Sequence, residues 1–248
     1  MKIPLMRGVI DRRILANFRI APEVLARALP APFRPKTVAG HGIGGICMIR
    51  LKELRPRAFP AFLGLTSENA AHRFAVEWDT DEGVREGVYI PRRDSSSRLS
   101  ALLGGRLFAG VHHLARFDVR EEGEAYSVAL TSNDGETRVL VEGEVADSLP
   151  DGTAFGSLEE ASGFFERGSL GYSATVREGV YDALELKVDR WSVRALDVRR
   201  VESSYFSDPE LFPKGSTAFD CALLMRDIGH EWHERAPLCC APEALAHG

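Results

Sequence analysis

The segment LTSENAAHRFAVEWD, residues 65–79, alternates between apolar and other side chains along most of its length. Neighbouring side chains of a β-strand point to opposite faces. This period of two therefore predicts a strand with one apolar face formed by Ala70, His72, Phe74, Val76 and Trp78. Similar patterns, separated by turns that contain glycine, recur along the chain and predict a fold built from paired strands.

Three short helices interrupt about ten predicted strands. One helix begins at Pro22, which suits a first turn, and ends before Pro30. A second lies in DSSSRLSALLGG, residues 94–105, where serines precede it and glycines follow it. The third begins with a capping box, Ser157 with Glu160, and ends at Gly168.

The chain has 248 residues and shows no repeat, low-complexity tract or linker. A domain of this size buries roughly 70–75% of its unfolded surface, which is enough to enclose a pocket. The predicted fold class is α+β, mainly antiparallel β, with one domain over residues 1–236. A loosely ordered tail is expected at 237–248.

Composition and charge exclude several kinds of partner. The net charge of −5 gives no reason to expect a nucleic-acid surface. No apolar run approaches the ~20 residues that cross a bilayer. MKIPLMRGVIDRR lacks the apolar core of a signal peptide, and the four cysteines lack CxxC spacing, so a cytoplasmic protein with reduced thiols is expected. No nucleotide-binding or GxSxG motif is present, and no cofactor is predicted.

The adjacent His112 and His113 stand out because the chain has only seven histidines. On a strand they face opposite ways, so they cannot serve one site unless a bulge intervenes. An acid–base role competes with a structural one, in which one histidine is buried and the other lies near solvent. A metal site needs three or four convergent ligands, and His230 with His233 has a spacing of three where the zincin motif has four.

Glu68 has the same strand parity as His72. A carboxylate on a core-facing row is costly unless it is paired or near water, and such a group can become a general acid or base. The alternative is that Glu68 lies in the preceding turn and faces solvent. Arg92, Arg93 and Asp94 end a predicted strand, where a solvated charge cluster is expected.

Three segments together resemble the acetoacetate decarboxylase superfamily. NFRIAPEVLARALPAPFRP is similar to its strand and following helix, and LTSENAAHR is similar to the segment that carries its active-site glutamate, here Glu68. GGRLFAGVHHLA is similar to the segment with its two adjacent lysines, so His112 and His113 stand at the lysine positions. The arginine of that segment matches Arg106 with an offset of one residue.

Four further segments resemble the YqjF-like family more closely, a domain of unknown function in the same superfamily. They are SENAAHRFAVEWD, REGVYIPRRDSSSRL, GSLGYSA and FDCALLMRDIGHEWH, and the similarity extends from residue 8 to about 235. The resemblance implies a cone-shaped β-barrel with short flanking helices around a small pocket.

The function implied is a protein that holds or acts on a small carboxylate or carbonyl compound, by a lyase, hydratase or enolisation step. Glu68 would be the acid or base, and His112 or His113 the second proton carrier or oxyanion donor. Arg13 or Arg106 would bind the substrate carboxylate, and His72 would complete the substrate site.

We expect Glu68 and one histidine of the pair to line the same cavity, and favour His112. A non-catalytic ligand-binding or sensor protein is the alternative, and a metal site joining a histidine to a carboxylate is a third. A homo-oligomer is compatible with the sequence.

The chain has five lysines against 26 arginines, and none of the five lies in the lysine segment of the decarboxylase. Histidine does not form the imine of the lysine mechanism. We therefore expect borohydride, added with acetoacetate or a 2-oxo acid, to trap no covalent adduct by intact-protein mass spectrometry. A stable adduct on Lys52 or Lys187 would contradict this.

Overall fold

The computed structural model describes residues 5–99 and 109–239. Its long strands are β1 (Met6–Ile20), β4 (His41–Pro56), β5 (Leu65–Thr80), β6 (Gly83–Ser95) and β13 (Thr217–Cys239). The shorter strands are β2 (Arg34–Pro35), β3 (Thr37–Val38), β7 (His112–Glu122), β8 (Ala125–Ser132), β9 (Arg138–Ala146), β10 (Leu170–Ala174), β11 (Val180–Val188) and β12 (Arg194–Ser203). The helices are α1 (Pro22–Ala28), α2 (Leu158–Arg167) and a 3₁₀ turn (Ala61–Leu63).

Seven strands pair in a closed ring, in the order β1, β4, β5, β6, β10, β11, β13 and back to β1. A second run, β7, β8, β9 and β12, leaves the ring at β6 and returns to it at β13. Only the pairings of β6 with β10 and with β7 are parallel among the described strands. The predicted fold class, α+β and mainly antiparallel, is confirmed.

The long strands bury both of their faces. On β5, the predicted row of Phe74, Val76 and Trp78 is at most 2% exposed, and the opposite row contributes Ala71 and Ala75 to a separate core. The first core lies outside the seven-stranded ring, beneath α1, β7–β9 and β12, and the second fills its interior. Of the other residues predicted to be buried, Leu223 is buried, whereas Phe117, Val119 and Trp191 are half-buried.

Helix α2 packs against the interior of the ring. Its amino end has the predicted capping box, because the Ser157 hydroxyl accepts a hydrogen bond from the Glu160 amide at 3.1 Å and Glu160 accepts one from the Gly156 amide. Phe164 and Phe165 of the helix join Phe155 in the interior core. The helix therefore contributes apolar side chains to the enclosed core of the ring.

Glycine allows β1 and β4 to approach each other closely. A Cβ atom added to Gly45 would lie 2.5 Å from the Ala16 carbonyl oxygen, closer than real contacts allow. The glycine-broken sequence of β4 is thus explained by the close approach of a neighbouring backbone.

The end of β13 and the helix expected in residues 94–105 remain to be compared with the sequence-based expectations. Strand β13 continues past residue 236 to Cys239, because its last residues pair with the start of β11. The helix expected in 94–105 extends into residues that lie outside the described ones. Among the described residues, no helix is long and apolar enough to cross a bilayer.

Replacing His72 with leucine is expected to make the protein more resistant to acid. Burial lowers the pKa of His72 to about 3, with a smaller effect from Arg92, and neither ring nitrogen has a hydrogen-bond partner among the described residues. The unfolded chain takes up a proton below about pH 6.5, so the free energy of unfolding falls as the pH drops from there towards 3.

The leucine variant has no imidazole at this position, so it lacks this loss of stability at low pH. Its acid-unfolding midpoint, followed by circular dichroism, should move to lower pH, and unfolding should take up about one proton fewer. His41→Leu, at an exposed position, is the matched control and should leave the midpoint in place. An unchanged midpoint in the His72 variant would show that this imidazole is not held neutral in the folded protein.

Candidate functional site

A cavity of about 90 Å³ lies inside the seven-stranded ring. A cavity of this volume has room for several water molecules, so it can accept a small ligand. Most of its wall is apolar, as is usual for ligand sites. The lining residues are Met6, Arg13, Cys47, Ile49, Leu51, Leu54, Asn69, Ala70, Ala71, Arg93, Asp94, Ala109, His112, Leu184 and Trp232.

Two arginines in this wall have no carboxylate partner among the described residues. Arg13 on β1 donates from Nε to the Cys47 sulfur at 3.2 Å and from Nη1 to the Met225 sulfur at 3.7 Å. Arg93 on β6 donates only to the Ser173 hydroxyl, from Nε at 3.0 Å and from Nη2 at 2.9 Å. Both guanidinium groups can therefore still bind an anion.

Arg73 on β5 adds a third positive charge to the same interior. Its Nη2 donates to the Asn17 amide oxygen at 2.5 Å, and its guanidinium carbon lies 4.7 Å from the centre of the Phe165 ring. Nε and Nη1 have no hydrogen-bond partner among the described residues. Burial lowers the pKa of Arg73 and of Arg93 to about 10, so both remain charged at neutral pH. We call Arg13, Arg73 and Arg93 the arginine cluster.

His112 lines the cavity beside this cluster. Strand β7 pairs in parallel with β6, and His112 is the register partner of Arg93. Its Nε2 lies 3.1 Å from the Ala109 carbonyl oxygen. Burial, together with the charge of Arg93, lowers the pKa of His112 to about 3, so the imidazole is neutral at physiological pH.

His113 faces the other side of the sheet, as strand parity predicts. It is the register partner of Asp94, and its Nδ1 lies 2.9 Å from the Asp134 carboxylate. Asp134 also binds Arg92, whose guanidinium forms a further ion pair with Asp94 at 2.9 Å. Of the two adjacent histidines, only His112 reaches the cavity.

Glu68 lies on the face of β5 away from the cavity. Its carboxylate accepts hydrogen bonds from Arg12 Nη2 and Arg50 Nε, each at 2.5 Å, and Arg12 also binds Glu121 at 2.7 Å. The expectation that Glu68 and a histidine line one cavity is wrong. Glu68 shares the parity of His72, as predicted, but of that row only Ala70 reaches the cavity, and the opposite face of the strand contributes Asn69 and Ala71.

His72 is likewise separated from the cavity by the backbone of β5. It is fully buried in the outer core, with its ring centroid 4.6 Å from that of Tyr205. Arg106 lies outside the described residues. Of the six residues singled out from the sequence, Arg13 and His112 meet in the cavity.

No group of three or more metal-ligating side chains is found among residues 5–99 and 109–239. His230 and His233 lie on a strand, where a spacing of three places them on opposite faces. His230 is buried beside Gly8, and His233 contacts Glu231 at 3.0 Å.

Sequence patterns did not identify three residues of this site. They are Arg93 and Cys47, which line the cavity, and Arg73, which lies near it. The cluster of Arg92, Arg93 and Asp94 was expected to be solvated, but Arg92 and Asp94 are buried. The reason is that both faces at the end of β6 are covered: Arg92 is paired with Asp134 and Glu136 on one face, and Arg93 faces the interior of the ring on the other. The small number of lysines does not indicate which of the arginines face the interior of the ring.

The profile of the DUF2071 family, described as an uncharacterized conserved protein (COG2071), matches residues 10–222. No match was found among curated proteins. Three solved structures illustrate the fold similarity, each at low sequence identity.

Acetoacetate decarboxylase from Legionella pneumophila aligns with a TM-score of 0.61 at 12% identity, over 95% of this chain and 87% of that one. An acetoacetate decarboxylase-like enzyme from Sphingomonas wittichii aligns with a TM-score of 0.58 at 12% identity, over 97% and 94%. The enduracididine biosynthesis enzyme MppR, in complex with the condensation product of pyruvate and imidazole 4-carboxaldehyde, gives 0.60 at 10% identity, over 95% and 90%. The chain has the acetoacetate decarboxylase-like fold and belongs to the DUF2071 family.

Proposed function

We propose that the protein binds a small carboxylate that carries a carbonyl group, such as a 2-oxo acid, in the cavity of the ring. The observation that carries this proposal is the pair Arg13 and Arg93, two cavity-lining cations without a carboxylate partner among the described residues. Both side chains are half-buried, and the Asp182 carboxylate interacts with Arg93 without forming an ion pair. Partly desolvated charges of this kind favour the binding of an anion of the right size.

Arg93 is held in the protein at an energetic cost. Burial lowers its pKa from 12.5 to about 10, although Cys47 and Asp182 oppose the fall, and at ~1.4 kcal/mol per pKa unit this corresponds to a cost on the order of 3 kcal/mol. A carboxylate that enters the cavity relieves this cost and accepts charge-assisted hydrogen bonds. The cavity volume of about 90 Å³ favours acids of the size of pyruvate.

His112 gives the site its preference for a carbonyl. A neutral imidazole is a weak base at this depressed pKa, and its single N–H, on Nε2, donates to the Ala109 carbonyl oxygen. In the complex the ligand oxygen replaces Ala109 as the acceptor of this N–H, which then stabilises the oxyanion of an enolate. MppR, with a similar fold, is found in complex with pyruvate. The chemistry we propose is polarisation of the ligand carbonyl, leading to enolisation without an imine.

Arg93→Met is expected to weaken pyruvate binding by about 10- to 100-fold in isothermal titration calorimetry, because a charge-assisted hydrogen bond contributes ~1.5–3 kcal/mol. The same variant should unfold at equal or higher urea concentration, since it removes a buried unpaired charge. Arg120→Met is the matched control, because Arg120 is exposed and its one ion pair among the described residues is with Asp118, at 3.5 Å. Equal affinity of the Arg93 variant and the native protein would refute the site.

Catalysis and simple binding are separated by hydrogen exchange at the methyl group of pyruvate in D₂O, followed by NMR. An enolising site accelerates the exchange, and His112→Asn should slow it by at least tenfold, because one oxyanion donor is worth roughly 10²–10³ in rate. Tight binding with exchange at the uncatalysed rate would favour the alternative, a non-catalytic ligand-binding or sensor protein.

A further inference from the structure

The cavity wall contains a thiol that the binding of a carboxylate does not use. Cys47 lies in the middle of β4, between Leu15 of β1 and Ala71 of β5, and is 7% exposed. Its side chain lines the cavity together with Arg13, Arg93 and His112. A structural cysteine is normally enclosed by apolar groups, whereas this one is next to charged groups.

The arginine cluster surrounds the sulfur with positive charge. Arg13 Nε donates to Sγ at 3.2 Å. Cys47 also interacts electrostatically with Arg73 and with Arg93. Burial lowers the pKa of each guanidinium, and the interaction with Cys47 opposes that fall. Cationic side chains beside the sulfur also bring a carboxylate ligand next to it.

Cys221 provides the internal comparison. It is fully buried in the same interior core, but next to Asp220. Burial, with a smaller effect from Asp220, raises the pKa of the Cys221 thiol to about 12. Arg73 interacts electrostatically with both cysteines, but Cys221 lies next to a carboxylate, whereas Cys47 contacts Arg13 and, of the two, is the one that lines the cavity.

We propose that Cys47 is the nucleophile of the cavity and adds reversibly to the carbonyl carbon of the bound acid. This inference rests on the proposed function, because the acid is held by Arg13 and Arg93. The sulfur lone pair forms a C–S bond while the C=O π bond breaks onto oxygen. The thiol proton ends on that oxygen, so the product is a thiohemiketal and no other reactant is needed.

A carboxylate with an electrophilic carbon tests this directly, and iodoacetate is such a reagent. The sulfur attacks its methylene carbon, the C–I bond breaks, iodide leaves and the thiol proton goes to solvent. Iodoacetamide has the same reactive carbon without the carboxylate. In a Cys240→Ser background, labelling is measured at Cys47, Cys221 and the exposed Cys239 by peptide mass spectrometry.

We expect Cys47 to react at least ~10-fold faster with iodoacetate than with iodoacetamide, which corresponds to about 1.4 kcal/mol from the arginines. Cys239 should show no such preference, and Cys221 should remain unlabelled. Propionate, which has a carboxylate but no electrophilic carbon, should protect Cys47 and leave Cys239 unprotected.

A second measurement separates this inference from the proposed function. Cys47→Ala should retain propionate binding in calorimetry. With [2-¹³C]pyruvate the native protein should show the NMR signal of a protein-bound tetrahedral carbon, and Cys47→Ala should not. Propionate binding without preferential labelling of Cys47 would overturn the nucleophile and leave the carboxylate site standing. Absence of propionate binding to the native protein and to Cys47→Ala would overturn the proposed function itself.

Discussion

The fold depends on the pairing of one long strand, β13, with three neighbours. Along Thr217–Cys239 it pairs with β1, β11 and β12, and this closes both the ring and the covering run of strands. Closure leaves β1, β4 and β5 with two buried faces, so both faces are largely apolar, and buried charges such as Arg12 are paired with carboxylates. It also encloses an interior that can exclude bulk water, where charges interact more strongly than at a surface.

The enclosed interior explains why arginine is so important here. A guanidinium remains protonated even when burial lowers its pKa to about 10, as for Arg73 and Arg93. A lysine with the same burial would lose its charge more readily. The ring can therefore hold permanent positive charge beside apolar walls, and His112 remains neutral in the same surroundings.

Local sequence patterns predicted the elements that depend on local physics. The alternation at residues 70–78 gave the buried face of β5, and Ser157 gave the start of α2, because strand parity and capping act within a few residues. Parity also assigned Glu68 and His72 to one face. It could not say that the cavity is on the other face, since that depends on which strands close the ring.

The position of Arg93 depends on longer-range geometry. On β6, Tyr89 pairs with Phe74 and Arg92 pairs with His72, so an extra residue on β6 shifts the register and changes which residues face inward. The parallel pairing with β7 then sets His112 beside Arg93. A bulge and a parallel crossover have no signature in a single sequence, and both were needed to assemble the site.

The arginines of the cavity have a consequence for the lifetime of the protein. The carboxylate that we propose for the cavity would bind the folded chain and not the unfolded one, so it would stabilise the fold by mass action. Proteolysis acts on the transiently opened chain, so its rate would fall as that population falls. The abundance of the protein would then follow the concentration of the proposed ligand.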